Sequence, residues 1–329
     1  MTIKVFVHLE GESIGIGGLH TSINNQRKAI RRSEVLELVD SPFEADVIHI
    51  NNIGISSNLL VTLKHFNGVK VVIHAHSLLR NITEGFSVLR RFESAVEKLL
   101  KTTYKRGDVL IAPSQFCAEG VKKLVDGSVP IKSFSNGIDL EKYEDMPDKE
   151  RMRKKYNAES PVICSVGNAF ERKGVKEFIE LGKEFPDRDF FWFGPIQWTA
   201  GNKIKELIES SPKNVRFTGR IKNILEAYSL ADIFLFPSRQ ETQGLVLLEA
   251  AASSLPIVVR DLPAYTWIEG GKECLKSSNL EELKQNTRRF LEDPELREKF
   301  SRNARKLAER HSIDELRKDL EKTYIEVMK

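Results

Sequence analysis

Short runs of β-branched and aromatic residues alternate with helical segments along this 329-residue chain, and the alternation is interrupted once. The runs are apolar on both faces, as strands of a parallel sheet covered by helices must be. A charged stretch with few apolar residues, 140–158, separates two such series. The pattern therefore predicts an α/β protein with two Rossmann-like, doubly wound domains.

We predict domain ranges of 1–145 and 146–311, with a C-terminal helix over 312–329 that returns to the first domain. Ligands of such sheets bind outside the carboxyl ends of the strands, so a cleft between two facing domains is the expected site. Helices are predicted over 18–32 and 115–126, and a helical tail from about Leu280. The predicted strands begin at Ile3, Asp46, Val69 and Asp108 in the first half, and at Pro161, Asp189, Asn214, Asp232 and Pro256 in the second.

Composition argues against several classes of protein. The net charge of +4 does not by itself indicate a nucleic-acid partner, and we expect none. No apolar run approaches the roughly 20 residues that span a bilayer, and no secretory signal is visible. The cysteines, Cys117, Cys164 and Cys274, are too few and too widely spaced for a disulfide framework or a zinc site. We therefore expect a cytoplasmic protein.

The most informative segment is FPSRQETQGLVLLEAAASSLPIVV, which begins at Phe236. A strand ends at Pro237, a polar turn holds Glu241, and a helix that begins near Gly244 carries Glu249 on its second turn. Exposed amides at a helix N-terminus suit an anionic group. The spacing alone is explained equally well if neither glutamate has a functional role, with one simply in a turn and the other on a solvated helix face. The amides in question belong to Thr242, Gln243, Gly244 and Leu245.

Two further turns are distinguished by basic residues and by glycines. SVGNAFERKGVKEF, from Ser165, places Arg172 and Lys173 before a glycine, although basic residues are also common in solvated loops. SIGIGGLHTSINNQ, from Ser13, has glycines that let the backbone approach a ligand closely, whereas a plain strand–helix turn would need fewer glycines. These glycines are Gly15, Gly17 and Gly18, and they lack the dinucleotide-binding spacing Gly-x-Gly-x-x-Gly.

Most of the seven histidines lie in the first quarter of the chain. VVIHAHS places His74 at the carboxyl end of a strand and His76 two residues later. A single histidine is more often structural than catalytic, but a pair at a strand end marks a candidate site.

Together these segments resemble the retaining glycosyltransferases of family 4, which have the GT-B fold of two Rossmann-like domains facing each other across a cleft. The resemblance covers nearly the whole chain. It implies that Glu241 contacts the transferred sugar and Glu249 the nucleotide ribose. It also implies that Lys173, with Arg172, holds the donor diphosphate. The family usually has arginine where this chain has Asn168, and Arg172 supplies that charge from a neighbouring position.

The same resemblance assigns the remaining candidates. It implies that the first glycine-rich loop approaches the donor phosphate across the cleft. His74 first, and His76 second, lie near the transferred sugar and the acceptor. FTGRI, around Gly219, matches the region that contacts the base, with Ile221 as the candidate.

Four segments are also similar to diacylglycerol glucosyltransferases, which use UDP-glucose at a membrane surface: VIHAHS, NAFERKGVKEFIEL, FWFG and ETQGLVLLEA. This narrower resemblance implies transfer of glucose from UDP-glucose to a membrane lipid such as diacylglycerol. GDP-mannose as donor, a soluble or polysaccharide acceptor, and a nucleotide-sugar epimerase remain alternatives. A nicotinamide oxidoreductase is disfavoured because the dinucleotide fingerprint is missing, and a non-catalytic sugar-binding protein because the chain carries basic phosphate-site residues.

The stretch 84–106 indicates how such an enzyme reaches lipid. Leu89, Phe92, Val96 and Leu99 recur at helical spacing, and basic residues outnumber glutamates around them. A basic amphipathic helix binds an anionic membrane surface, at roughly 1 kcal/mol per basic residue. We expect peripheral binding at the inner face of the cell membrane, and an ordinary domain helix is the alternative. The basic residues in and just before the stretch are Arg80, Arg90, Arg91, Lys98, Lys101, Lys105 and Arg106.

Asp187-Arg188-Asp189 has the Asp-x-Asp form with which other glycosyltransferases bind a divalent metal. Here it follows a proline and opens a strand, so we interpret it as a solvated turn. Cations and a helix N-terminus stabilise a leaving diphosphate without metal, and we predict no metal requirement.

Overall fold

The computed structural model describes residues 2–10, 17–76, 78, 92–159, 161–196 and 202–329. The chain divides into two compact units. The first comprises Met1–Ile138 with His311–Lys329, and the second comprises Asp139–Arg310. Each unit contains a six-stranded sheet in which every neighbouring pair of strands is parallel.

Strands and helices alternate in the first unit, and its sheet has the order β2-β1-β3-β4-β5-β6. In chain order the elements are β1 (Ile3–His8), α1 (Gly18–Arg31), β2 (Leu36–Leu38), β3 (Val47–Ile50), α2 (Ile55–Asn67), β4 (Lys70–His74), α3 (Glu93–Tyr104), β5 (Val109–Ala112), α4 (Gln115–Leu124) and β6 (Ile131–Ser133).

The second unit repeats the pattern with the sheet order β12-β11-β10-β7-β8-β9. Its elements are α5 (Lys149–Tyr156), β7 (Val162–Val166), α6 (Val175–Glu184), β8 (Asp189–Phe193), α7 (Asn202–Glu209), β9 (Val215–Gly219), α8 (Leu225–Leu230), β10 (Ile233–Phe236), α9 (Leu245–Ala252), β11 (Ile257–Arg260), β12 (Leu275–Ser277), α10 (Leu280–Glu292) and α11 (Pro294–Glu309). The last helix, α12 (Ile313–Met328), belongs to the first unit.

The first sheet is buried on both faces, because side chains of a strand point alternately to opposite sides. On β4, Val71 and Ile73 join a core cluster with side chains of α3 and α4. Val72, between them, joins a second cluster with side chains of α1 and α12, including Tyr324. The C-terminal helix therefore completes the core of the first unit.

The fold confirms the predicted pair of doubly wound α/β domains, and every predicted strand is present. The strands that the sequence did not reveal are β2, β6 and β12. Each has three residues and lies at the edge of its sheet. Strands of that length carry too few residues to show a period.

The charged stretch 140–158 is ordered structure rather than a linker. Tyr143, in a 3-10 turn over Leu140–Tyr143, packs edge-on against Tyr228 of α8. On α5, Tyr156 donates a hydrogen bond to Glu226 at 2.7 Å, and Arg153 bonds the carboxylate of Asp232. Residues 139–145 consequently belong to the second unit, whereas the sequence placed the boundary at 145. The charges that suggested a domain boundary make ion pairs within this unit.

Candidate active site

The first cluster of candidate residues lies in the second unit, where β10 ends. In the turn that follows, Ser238 Oγ donates to Glu241 Oε1 at 2.7 Å, and Glu241 is buried. Gly244 has a φ of +80° and precedes the first residue of α9, Leu245. A Cβ at Gly244 would lie 3.0 Å from the ring of Tyr265, so the turn requires glycine there. The helix begins where the sequence predicted.

Two cations from the turn after β7 reach the same glutamate. Lys173 Nζ lies 2.5 Å from Glu241 Oε1, and Arg172 Nη1 lies 3.7 Å from that oxygen. Gly174, with a φ of +81°, follows Lys173 and packs against the turn after β10. A Cβ at Gly174 would lie 2.3 Å from the carbonyl oxygen of Pro237 in that turn. Because β7 and β10 are parallel neighbours, their carboxyl ends bring the two turns together.

Burial and charge oppose each other in this cluster. Burial would raise the pKa of Glu241, but Lys173 and Arg172 outweigh it and hold that pKa below its usual range. Burial lowers the pKa of Lys173, and the attraction of Glu241 offsets only part of this effect. Two cationic groups thus surround one carboxylate, and the excess of positive charge suits a polyanionic ligand.

Glu249 has a different environment. It is buried on α9, and Tyr228 donates its hydroxyl hydrogen to Glu249 Oε2 at 2.5 Å. Burial raises the pKa of Glu249, and the bond from Tyr228 opposes the rise. One glutamate of the predicted pair therefore makes an ion pair with lysine, and the other a hydrogen bond with tyrosine.

The remaining donor-side candidates occupy turns of the second unit. Asn168 is half-buried and follows Gly167, whose carbonyl oxygen accepts a hydrogen bond from Trp192 Nε1 at 2.7 Å. Ile221 lies just beyond β9 and is half-buried. The backbone oxygen of Gln243 accepts a bond from Trp267 Nε1 at 3.2 Å. Thr242 precedes Gln243 in this turn, and Leu245 is the first residue of α9.

The glycine-rich loop of the first unit is described only in part. Gly15 lies outside the described residues. Gly17 has a φ of +121° and precedes α1, and Gly18 is the first residue of that helix. Both are exposed.

The second cluster lies at the carboxyl edge of the first sheet. His74 ends β4, and its ring stacks on that of His76 with centroids 4.1 Å apart. His76 Nε2 lies 2.8 Å from Oδ1 of Asn51, the residue after β3. Gln26, on α1, donates from Nε2 to Asn51 Oδ1 at 2.8 Å and to His74 Nδ1 at 3.0 Å. The structure thus brings the two predicted histidines together in one polar network.

The network continues away from the strand end. His49 stacks on His74 with ring centroids 5.5 Å apart, and its Nδ1 lies 2.5 Å from the hydroxyl of Tyr324 on α12. Burial lowers the pKa of His49 and of His76 to about 3, and it lowers the pKa of His74 well below the usual value. All three imidazoles are therefore neutral at pH 7.

Several residues of these clusters were missed by the sequence analysis. Gln26 and Ser22 stand four positions apart on the buried side of α1, and polar residues on a buried helix face are a sequence signal for such a network. Asn136, shortly after β6, accepts a hydrogen bond from Ser22 Oγ at 2.8 Å. Tyr324 and Tyr228 gave no local signal, because each meets its partner only through the tertiary fold.

The predicted membrane helix is described from Phe92 onward, as α3, so Leu89 and the earlier basic residues lie outside the described residues. Leu100 and Tyr104 are buried and Val96 packs against the core, whereas Phe92 and Leu99 are 59% and 48% exposed. The apolar stripe predicted to face a membrane is therefore wrong for Val96, which packs against the core, whereas Phe92 and Leu99 are exposed. Lys101 and Lys105 both bind Asp126, at 2.9 and 3.0 Å.

Asp189 of the Asp-x-Asp element is not a solvated turn residue. It makes an ion pair with Arg216 at 2.5 Å and accepts a bond from the backbone N–H of Glu159 at 2.6 Å. Within the described ranges we find no cluster of three metal-ligating His, Cys, Asp or Glu side chains. No helix in that part of the chain is both long and apolar enough to cross a bilayer.

Both halves of the chain match known families. Residues 16–142 match Glycosyltransferase Family 4, and residues 148–307 match Glycosyl transferases group 1. The processive diacylglycerol alpha-glucosyltransferase of Acholeplasma laidlawii is 29% identical over 99% of this chain and 99% of its own length. The alpha-galactosylglucosyldiacylglycerol synthase of Streptococcus pneumoniae is 26% identical over 91% of this chain and 83% of its own length.

Solved structures share the fold along the whole chain. Sucrose-phosphate synthase from Thermosynechococcus elongatus aligns with a TM-score of 0.83 at 15% identity, over 99% of both chains. Anabaena HepE in complex with UDP-glucose aligns with a TM-score of 0.80 at 17% identity, over 98% of this chain and 100% of that one. At these identities the likeness shows the GT-B fold alone.

Proposed function

Because the chain belongs to the glycosyltransferases, with a family 4 half and a group 1 half, we propose that it transfers glucose from UDP-glucose to a diacylglycerol-type lipid with retention at the anomeric carbon. The observation that carries this proposal is the cluster of Lys173, Arg172 and Glu241 beside the first residue of α9. The cluster matches the two adjacent parts of the donor, because the cations suit the diphosphate and the carboxylate suits the hydroxyl groups of the sugar.

The cations act on the leaving group. As the bond between the anomeric carbon and the β-phosphate oxygen breaks, negative charge develops on the diphosphate. Lys173 and Arg172 stabilise that charge, aided by the amides that open α9. The diphosphate then takes over part of the bonding of Lys173, and Glu241 becomes free to accept hydrogen bonds from sugar hydroxyls.

Transfer occurs on one face of the sugar. The acceptor hydroxyl oxygen forms its bond to the anomeric carbon on the side from which UDP departs, so the α configuration is kept. The proton of that hydroxyl passes to the departing phosphate oxygen, which balances the reaction without a protein nucleophile. We expect no metal, since the two cations supply the charge that a metal would provide.

His74 serves as a neutral hydrogen-bond donor to the sugar or the acceptor. Its Nδ1 accepts a hydrogen bond from Gln26, so the ring proton resides on Nε2. That buried Nε2 has no hydrogen-bond partner among the described residues. Glu249, bonded to Tyr228, is assigned to the ribose of the donor.

The lipid acceptor is favoured by the diacylglycerol enzymes among the relatives, which align over most of this chain. Such an acceptor resides in a bilayer, so the enzyme works at the membrane surface as a peripheral protein of the cytoplasmic side. Phe92, just before α3, and Leu99, on α3, are exposed. We propose that they and the basic residues around them contact an anionic surface.

The test is transfer of radiolabelled sugar from a panel of nucleotide sugars into a lipid extract that contains diacylglycerol. We expect label from UDP-glucose in the organic phase, and an α-linked product by NMR. Label transferred from GDP-mannose alone would mean that GDP-mannose, and not UDP-glucose, is the donor. Label confined to nucleotide sugars of changed configuration would instead support an epimerase, and label in a water-soluble product would refute the lipid acceptor.

A further inference from the structure

A cavity of about 530 Å³ lies between β1 and α2 in the first unit, and the mechanism above leaves it unused. Volumes of this size are typical of small-molecule sites. Its lining extends along β1 from Phe6 to His8 and includes Phe43, from the turn before β3, and Leu59 of α2. The rings of Phe6 and His8 stack with centroids 6.2 Å apart.

The polar side chains of the lining already have partners within the protein. His8 Nε2 lies 3.1 Å from Ser56 Oγ. Thr62 Oγ1 donates to the carbonyl oxygen of Asn58 at 2.9 Å and accepts from Arg106 Nη2 at 2.8 Å. A ligand therefore meets an apolar surface here, and burying polar groups in it would be unfavourable.

The rim of the cavity carries exposed apolar side chains. Phe43 and Leu59, which line the cavity, are 73% and 66% exposed. Ile55 does not line the cavity but stands one helical turn before Leu59 and is 81% exposed. Within the described ranges these are the three most exposed large apolar residues. Single exposed apolar residues are ordinary, but a group of them around an apolar cavity marks a binding site.

One end of the cavity reaches the polar edge of the sheet. His8 is the last residue of β1, and its carbonyl oxygen accepts a bond from the backbone N–H of Asn51 at 3.2 Å. Asn51 in turn bonds Gln26 and lies 2.8 Å from His76 Nε2. Phe6 and His8 share the face of Ile48 and Ile50, whereas His74 shares the opposite face with Ile111. A ligand with an apolar tail along β1 therefore presents a hydroxyl to the histidine cluster only by passing the carboxyl end of that strand.

A glycerolipid has this combination of an apolar chain and a terminal hydroxyl. We propose that the cavity binds one acyl chain of the lipid acceptor and that Phe43 and Leu59 pack against the chain. The identity of the lipid rests on the proposed function, whereas occupancy of the cavity by an acyl chain can be tested without catalysis.

The experiment is calorimetric titration of the whole protein with dioctanoylglycerol, with glycerol as the chain-free probe. We expect saturable binding of dioctanoylglycerol only, weakened about tenfold or more in the double variant Phe43→Ser, Leu59→Ser. Both side chains are exposed, so the variant should keep its thermal midpoint. Val35→Ser is the matched control, since Val35 is 38% exposed in the same unit and does not line the cavity.

Three results would overturn the assignment: no saturable binding by the wild type, equal binding by the double variant, or equal loss in Val35→Ser. Sedimentation with phosphatidylglycerol vesicles that lack diacylglycerol should be unchanged in the double variant. Loss of sedimentation would instead make this face a bilayer contact and refute the acyl site. If dioctanoylglycerol binds as expected but receives no sugar, the proposed function fails and the acyl site stands.

Discussion

Gln26 Nε2 donates a hydrogen bond to Nδ1 of His74 across 3.0 Å in a buried part of the first unit. The orientation of the Gln26 amide is fixed by a second bond to Asn51 Oδ1, since Asn51 uses its own Nδ2 to reach the carbonyl oxygen of His8. An amide nitrogen can only donate, so His74 must carry its proton on Nε2. Gln26 therefore selects the tautomer of His74 from a distant helix.

Replacing Gln26 with glutamate should reverse this selection. A carboxylate accepts a hydrogen bond from Nδ1–H and raises the pKa of the His74 ring, so that His74 begins to titrate in the range where the wild-type ring stays neutral. We expect kcat to fall about tenfold or more at pH 7, and a new inflection in the pH–rate profile. Nitrogen NMR of the ring should show the proton moved to Nδ1.

Gln26→Met is the control, because it removes the bond without adding charge and should lower kcat without a new inflection. A pH profile of Gln26→Glu identical to that of the wild type would contradict the role.

Glu241 and Lys173 should have separable effects on turnover and on product binding. Glu241→Gln should lower kcat about a hundredfold, because it removes an acceptor of sugar hydroxyls. It should not weaken UDP binding, because Lys173 then loses its competing partner. Lys173→Met should weaken UDP binding by roughly ten- to hundredfold, the value of a charge-assisted hydrogen bond of about 1.5 to 3 kcal/mol.

The measurements are calorimetric UDP titrations and initial rates at saturating donor. Arg239→Ala is the matched control, since Arg239 lies in the same turn and makes its short ion pair with Glu177 at 2.8 Å. It should leave both quantities near wild type. Wild-type turnover in Glu241→Gln would remove Glu241 from the mechanism.

Much of the fold followed from patterns that are local in sequence. The buried strands were visible as apolar runs, and the start of α9 followed from Gly244 and the polar turn before it. The pairing of Lys173 with Glu241 was not visible, because their contact depends on β7 lying next to β10. The sequence suggested that Lys173 and Glu241 each contact the ligand. The structure adds that their charges also neutralise each other. His49 and Tyr324 meet through a helix that returns to the first unit from the end of the chain, and such long-range contacts leave no trace in spacing.

The contact between the two turns of the donor cluster depends on a single glycine. Gly174 has a φ of +81°, and a Cβ there would lie 2.3 Å from the carbonyl oxygen of Pro237. Gly271, in the same unit, has a φ of +80° and nothing within 4 Å of its Cβ position. Gly271→Ala should therefore cost only the backbone strain of about 1 to 2 kcal/mol.

Gly174→Ala should cost more than Gly271→Ala, because the two turns must also separate. We expect a lower free energy of unfolding in urea and a loss of UDP affinity that Gly271→Ala does not show. Equal effects of the two substitutions on both quantities would mean that the contact with Pro237 contributes nothing to the site.

The histidine network makes stability depend on pH. Burial lowers the pKa of His49 and of His76 from 6.5 to about 3, so between these values the unfolded chain binds protons that the folded chain does not. The free energy of unfolding therefore falls as pH drops below about 6.5, by up to about 1.4 kcal/mol per pH unit for each such histidine. Urea unfolding at pH 7.5, 6.5 and 5.5 should show this decline. In His49→Phe, which retains a ring beside His74 and cannot titrate, the slope of unfolding free energy against pH should be smaller by the contribution of about one proton. An unchanged slope in that variant would mean that His49 is not held neutral in the folded protein.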